Sequence, residues 1–211
     1  MFLSKDIVLQ AYKKGLFPMS DSHEAPYIFW VNPEQRGIIY LKNFKISKSL
    51  KKFIRKNNYS IKINENFSDV IKLCAKNKYR DSTWINNQII DSYTKLSNTG
   101  KAISIEYFEK EKMLGGLYGV ILGEIFCGES MFSLKKNASK ICITHLAAHL
   151  IDSGFKIIDT QFYSDHLSQF GTIEIPQEQY LNILNENNLK DDLSINKLSL
   201  IHISEPTRRT I

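Results

Sequence analysis

Residues 102–132 constrain the fold more than any other part of the chain. They read as three consecutive apolar strands, 102–108, 113–122 and 124–132, with turn signals at 109–112 and near Gly123. Consecutive strands joined by tight turns make an antiparallel meander. A helix over 138–152, ended by Gly154, follows. Then come a buried strand over 156–161, a short helix near 165–170, a strand over 172–175 and a last helix opened by Pro176 and ending near 188. Ahead of the meander, 59–64 alternates with period two, and 68–78 and 87–97 carry helical spacing. The expectation is an α+β fold: a mixed, mostly antiparallel sheet with flanking helices.

The N-terminal part reads differently. A helix over 4–14 has Ser4 as its cap, Leu3 as a staple and Gly15 as its stop. A loop rich in breakers (Gly15, Pro18, Pro26, Pro33) and aromatics (Phe17, Tyr27, Phe29, Trp30) comes next. A short strand spans 37–41, and Ser47 caps a helix over 48–57 with Leu50, Phe53 and Ile54 on its apolar stripe. Residues 1–58 are therefore expected to form a small basic N-terminal domain, and 59–197 the main domain. The tail fits neither. LSLIHISEPTR, residues 198–208, matches one reading frame of a transposon-end sequencing adapter letter for letter. Residues 198–211 are read as non-native and set aside, and the true C-terminus is expected to be missing.

Composition removes several function classes. No window of 18 apolar residues exists, so no membrane span or membrane partner is expected. Lys5, Asp6 and Lys13 interrupt any signal-peptide core. Cys74, Cys127 and Cys142 are odd in number and far apart, which argues against a disulfide framework or a zinc knuckle and for a cytoplasmic location. The net charge of +6 is not evenly spread. Residues 37–64 contain no Asp or Glu but hold Lys42, Lys45, Lys48, Lys51, Lys52, Arg55, Lys56 and Lys62. Such a run is a cationic patch suited to a polyanion.

Residues 114–140 are the richest in candidate chemistry. Their glycines form neither a Walker loop nor a dinucleotide fingerprint, and spacing alone favours a tight meander with bulges. Glu129 sits between Gly128 and Ser130 at the end of an apolar run, where a carboxylate is costly without a partner or a cation. Asp159 and Gln161 are two apart at the end of a strand and are expected to share a face. An ordinary end-of-strand cap also accounts for them, and the pair by itself is a weak signal. His145 and His149 have metal-ligand spacing, yet Leu146 stands where a zincin has Glu and no third ligand is placed; no metal is expected. Trp30 and Trp84 read as core aromatics by default, with a stacking role as the alternative.

Taken in order, the motifs say more. GLFPM (15–19), FWVNPEQRGI (29–38), SKSLKKF (47–53), TWI (83–85), GGLYGV (115–120), FCGESMFS (126–133), NASK (137–140), IDTQ (158–161) and His166-Leu167 resemble the bacterial leucyl/phenylalanyl-tRNA–protein transferases from about residue 10 to about residue 185. The resemblance implies a GNAT-like acyltransferase core behind a small N-terminal domain, with no cofactor. It implies transfer of Leu or Phe from aminoacyl-tRNA to the α-amine of proteins beginning with Arg or Lys, an N-end rule degradation signal. Asp159 and Gln161 match the family's proposed proton-handling pair, and Glu129 its acidic site residue. A Gln amide holds no proton, so Gln161 is expected to orient the amine, polarised by Asp159.

Leu117, Phe126, Met131 and Leu146 are the candidates for the aminoacyl pocket, with Trp30 and Trp84 for the terminal adenosine. A pocket of that kind separates shapes modestly, so some use of Met is expected. Lys48, Lys51, Lys52, Arg55 and Lys56 are the candidates for tRNA phosphates. A monomer is expected. Val31 stands where family members often have a second Trp, Thr160 where Cys is common, and Leu146 where Phe occurs. Two other readings stay open. A coenzyme A-dependent N-acetyltransferase would need a glycine-bearing phosphate loop, which residues 133–137 lack. A non-catalytic RNA-binding protein would use the basic patch and leave Glu129, Asp159 and Gln161 without a task.

Overall fold

The structure, a computed structural model, describes residues 3–76, 82–188 and 193–194. The expected non-native tail lies outside the described residues, as does the C-terminal end of the helix expected over 68–78.

Chain order begins with helix α1 (Lys5–Tyr12), strands β1 (Phe17–Met19), β2 (Phe29–Val31) and β3 (Gln35–Tyr40), helix α2 (Lys48–Lys56), strand β4 (Ser60–Ile63) and helices α3 (Phe67–Ala75) and α4 (Asn87–Ser97). The meander follows as β5 (Ala102–Glu109), β6 (Lys112–Leu122) and β7 (Ile125–Ser133). The chain continues through α5 (Ala138–Asp152), β8 (Ile157–Gln161), α6 (Asp165–Ser168), β9 (Ile173–Pro176) and α7 (Gln177–Asn187). The expected caps form. Ser4 accepts the Ile7 N–H at 3.3 Å, and Ser47 accepts that of Leu50 at 3.2 Å. Gly15 ends α1 at φ +78°, a conformation only glycine adopts at no steric cost.

Seven strands form one sheet in the order β4-β5-β6-β7-β8-β3-β9. Every pair is antiparallel except β7 and β8. That parallel pair needs a crossover, and α5 supplies it. One sheet face packs on α1, α3, α4 and α7 through Tyr12, Val70, Ile89 and Leu184. The other packs on α5 and α2 through Ile141, Leu146 and Leu50. Gly115 lets α5 sit close, because a Cβ there would collide with Ala138. The expected fold class, α+β with a mixed, mostly antiparallel sheet, is the observed one.

Two expectations about the first 58 residues meet a different arrangement. The breaker-rich loop contains a small two-stranded sheet, in which Phe17, Pro18 and Met19 of β1 pair with Val31, Trp30 and Phe29 of β2. Strands of three residues are too short for a period to show. β3, placed by the sequence reading in a separate N-terminal domain, lies inside the large sheet between β8 and β9. Pairing between strands over 100 residues apart leaves no local trace, so a boundary at 58 could not be corrected from spacing.

Candidate active site

The parallel strands β7 and β8 stay in register for three pairs, Ile125–Ile157, Phe126–Ile158 and Cys127–Asp159. Beyond Cys127 they part. A bulge occurs on each side of the opening. On β7, Gly128 pairs with Gly119 and Ser130 with Tyr118, so Glu129 is the extra residue with no partner on β6. On β8, Asp159 pairs with Ile38 and Gln161 with Gly37, which makes Thr160 the extra residue. Bulges re-aim side chains, and both candidate polar residues stand at one. Gly119 is needed at the first, since a Cβ there would collide with the Cys127 carbonyl oxygen. The bulge reading of the glycines is therefore correct at this position. Gln161 also takes φ +64°, a left-handed conformation that costs about 1 kcal/mol or more outside glycine.

The opening is a cavity of about 790 Å³. Trp84, Leu117, Phe126, Met131 and Leu146 line it, joined by Ile143 of α5 and Ile158 of β8. Glu129 and Gln161 line it too, with Ser130, Ser139, Tyr163 and His166 as further polar groups. Seven candidates from separate parts of the chain thus meet at one cavity.

Glu129 retains some solvent contact through the cavity, but donors enclose its carboxylate. Gln161 Nε2 donates to Oε1 at 2.7 Å, the Tyr12 hydroxyl donates to the same oxygen, and the Tyr93 hydroxyl lies 3.3 Å from Oε2. Burial pushes the Glu129 carboxyl up to about 7. The Tyr12 hydroxyl opposes that rise, the charge of Asp159 adds to it, and Tyr93 and Arg36 oppose it. Burial, followed by the charge of Glu129, holds the Tyr12 and Tyr93 phenols well above their usual range, so both keep their protons and donate.

Asp159 is elsewhere. The bulge at Thr160 and the left-handed Gln161 break the alternation that would have put both side chains on one face. Asp159 is fully buried behind the cavity wall. Arg36 grips it with Nε at 2.9 Å and a terminal nitrogen at 2.7 Å. The Tyr180 hydroxyl donates to it at 2.6 Å, and the Gln161 backbone N–H at 2.8 Å. Burial lowers the Arg36 pKa, but the charge of Asp159, its hydrogen bond and the neighbouring Tyr180 and Cys127 together hold the guanidinium above its ordinary value. Asp159 therefore touches Gln161 through the backbone. The Gln161 amide group is turned to Glu129.

Trp30 does not line the cavity; it is half-buried in β2, opposite Pro18. Lys48, Lys51, Lys52, Arg55 and Lys56 are all exposed and surround one shallow depression on α2. That helix packs on α5, which carries the Ser139–Leu146 wall of the cavity. His145 is buried with its Nε2 3.0 Å from the Tyr59 hydroxyl, and burial lowers its pKa to about 4. Among the described residues no His, Cys, Asp and Glu cluster could hold a metal, and no helix is long and apolar enough to cross a membrane.

Sequence reasoning missed Tyr12, Tyr93, Arg36 and Tyr180. Tyr12 lay on the apolar face of a helix and looked like core, which its ring is. Arg36 stood in a quoted motif, but nothing local marked it as buried.

A mixed, mostly antiparallel sheet with flanking helices, opening onto an apolar cavity with a carboxylate and a carboxamide at its rim, makes this an α+β protein with a candidate active site at the β7–β8 opening. Residues 38–185 match the family model described as leucyl/phenylalanyl-tRNA protein transferase. Residues 1–34 match that of the same family's N-terminal domain. The chain belongs to the leucyl/phenylalanyl-tRNA protein transferase family, a family of aminoacyltransferases.

Solved structures similar to this chain are remote. L-PGS from Bacillus licheniformis matches at 10% identity and TM-score 0.44, over 76% of this chain and 58% of its own. The C-terminal domain of a putative lysylphosphatidylglycerol synthetase from Agrobacterium fabrum matches at 11% identity and TM-score 0.43, over 78% and 54%. A conserved protein of unknown function from Staphylococcus epidermidis matches at 10% and 0.41, over 67% and 57%. The chain thus spans somewhat over half the length of each.

Proposed function

We propose that this protein moves Leu or Phe, with Met tolerated, from aminoacyl-tRNA to the α-amine of proteins beginning with Arg or Lys. The product is an N-end rule degradation signal. One observation carries the reading: in a chain of this family, an apolar cavity meets the Glu129 carboxylate and the Gln161 carboxamide at its rim. The apolar wall receives the aminoacyl side chain, and Trp84 stacks on the terminal adenosine. The protein works as a monomer on one tRNA at a time.

The chemistry is aminolysis of an activated ester, so holding amine and ester together supplies most of the acceleration. The acceptor arrives as an ammonium. Glu129 attracts it by a charge-assisted bond and takes one proton. Gln161 gives its N–H to Glu129, which leaves its amide oxygen to accept from the amine and orient it. The amine nitrogen attacks the ester carbon, the carbon–oxygen bond to the ribose breaks, and the departing oxygen takes the second proton. Asp159 acts one step removed, by fixing the Gln161 backbone.

The decisive assay is transfer of labelled Leu from charged tRNA to a peptide beginning with Arg, beside one beginning with Ala. Label on the Arg peptide alone supports the reading. Bound tRNA without transfer to either peptide favours the RNA-binding alternative. The cations on α2 give a separate prediction. Replacing Lys51, Lys52 and Arg55 by Ala should weaken tRNA binding and make the slope of log affinity against log salt shallower by about 2. Turnover at saturating tRNA should change little. An unchanged salt slope would remove α2 from the tRNA surface.

A further inference from the structure

Two of the three polar groups around the Glu129 carboxylate come from outside the strands that frame the cavity. Tyr12 is on α1, within the part that matches the family's N-terminal domain, and Tyr93 is on α4. Their hydroxyls are 2.6 Å apart. Each hydroxyl has one proton to give. Tyr12 directs its own at Glu129 Oε1. Tyr93 is 2.6 Å from the Tyr12 oxygen and 3.3 Å from Glu129 Oε2, so its better acceptor is Tyr12. The contacts read as a directed chain, Tyr93 to Tyr12 to Glu129, and each link polarises the next.

We propose that Tyr12 and Tyr93 are positioning residues of the transfer reaction, holding the Glu129 carboxylate charged and aimed at the acceptor's α-amine. The inference rests on the function proposed above. The proton balance is simple. One ammonium proton passes to a Glu129 oxygen, giving a neutral acid and a free amine. The phenols keep their protons throughout and act as dipoles.

The other groups around Glu129 do not supply this support. Tyr118 on β6 and Cys127 on β7 are buried, and their pKa values are pushed up, so both are neutral. Asp159 on β8 repels a charge on Glu129, and Arg36 on β3 attracts it. Those two form an ion pair with each other, and Tyr180 on α7 is bound to Asp159. Gln161 donates but does not titrate. The phenol chain is therefore the main device that opposes burial. It also means that α1, through Tyr12, contributes to a site whose Glu129 and Gln161 belong to the sheet.

The test is the pH profile of kcat/KM for an Arg-initiated peptide, in the parent and in Tyr12→Phe and Tyr93→Phe. Losing a donor to the charged form raises the carboxyl pKa, so the acid limb must move to higher pH. For Tyr12→Phe the expected shift is about half a unit to one unit. That is roughly a three- to tenfold loss near pH 6.5, closing above pH 8. Tyr93→Phe should move it less, because its link to Glu129 is mainly indirect. Carbon-13 NMR titration of the Glu129 carboxyl, assigned with Glu129→Gln, should shift in the same order without any need for turnover.

A loss equal at all pH values in both variants, or an unmoved carboxyl titration in both, overturns the proposal. A parent enzyme that gives no transfer to the Arg peptide overturns the function instead, and the NMR titration still decides the role of the tyrosines. Two single variants keep the test open if one of them folds poorly.

Discussion

Replacing Arg36 by Met is expected to cost about 3–5 kcal/mol of stability. Arg36 is 1% exposed and Asp159 0%. The guanidinium forms two bonds to that carboxylate and a third, at 2.9 Å, to the Gly15 carbonyl at the end of α1. Its central carbon Cζ lies 4.9 Å from the Phe17 ring centre and 4.4 Å from that of Tyr180. Met can fill part of that space. It cannot compensate the charge, so Asp159 would remain buried with neutral partners alone, among them the Tyr180 phenol and the Gln161 backbone N–H.

Breaking a buried pair by removing one partner is costly, whereas removing both charges often is not. Arg36→Met with Asp159→Asn should therefore recover a good part of the loss, with a coupling energy above about 1 kcal/mol in a double-mutant cycle. Urea unfolding measures this directly. The single variant should melt lower by about 10 °C in a chain of this length. A loss under about 1 kcal/mol would mean that the pair is hydrated in solution and that it does not tie α1 to the sheet.

Glu129→Ala should lower kcat for the Arg peptide by about a hundredfold or more, which is the ordinary worth of a proton-transfer group. Gln161→Ala should cost somewhat less, because a water can accept from the amine but does not hold it in place. Both variants should bind charged tRNA as the parent does, since the α2 cations are separate from the cavity rim. Single-turnover transfer, beside filter binding of the tRNA, separates the two effects. Near-normal turnover in both would sink the proposed mechanism. Loss of tRNA affinity in step with turnover would move these residues from chemistry to binding.

Each of the two residues carries strain or desolvation that the fold must offset elsewhere. Glu129 sits on a bulge with its carboxyl pushed up to about 7, and Gln161 sits at φ +64°. Such features cluster where a protein holds groups for work rather than for stability. Glu129 was conspicuous in the sequence because a carboxylate in an apolar strand needs a reason. Gln161 was not conspicuous without the resemblance, because a glutamine at a strand end is ordinary.

Local signals account for most of the elements. Ser4 and Ser47 cap their helices, Gly15 stops one, and Pro176 opens another, because caps and breakers act through the backbone within one turn. The meander was legible because each strand is apolar and each turn short. The basic face of α2 was legible because no acid interrupts it. What lay beyond reading were events that join distant residues. Insertion of β3 between β8 and β9 pairs Gly37 with Gln161, and the Tyr12 chain to Glu129 spans 117 residues.

The bulges are the deepest of these. A period of two predicts that Asp159 and Gln161 face the same way, and one extra residue reverses that prediction. Composition and spacing determined the elements and the cationic helix, since these follow from short-range sterics and from solubility; the candidate apolar wall came with the family resemblance. Only the packed sheet decided that Asp159 is a buried anchor and Gln161 a cavity residue. Register and the direction of a side chain depend on partners that the chain meets only after it has closed on itself.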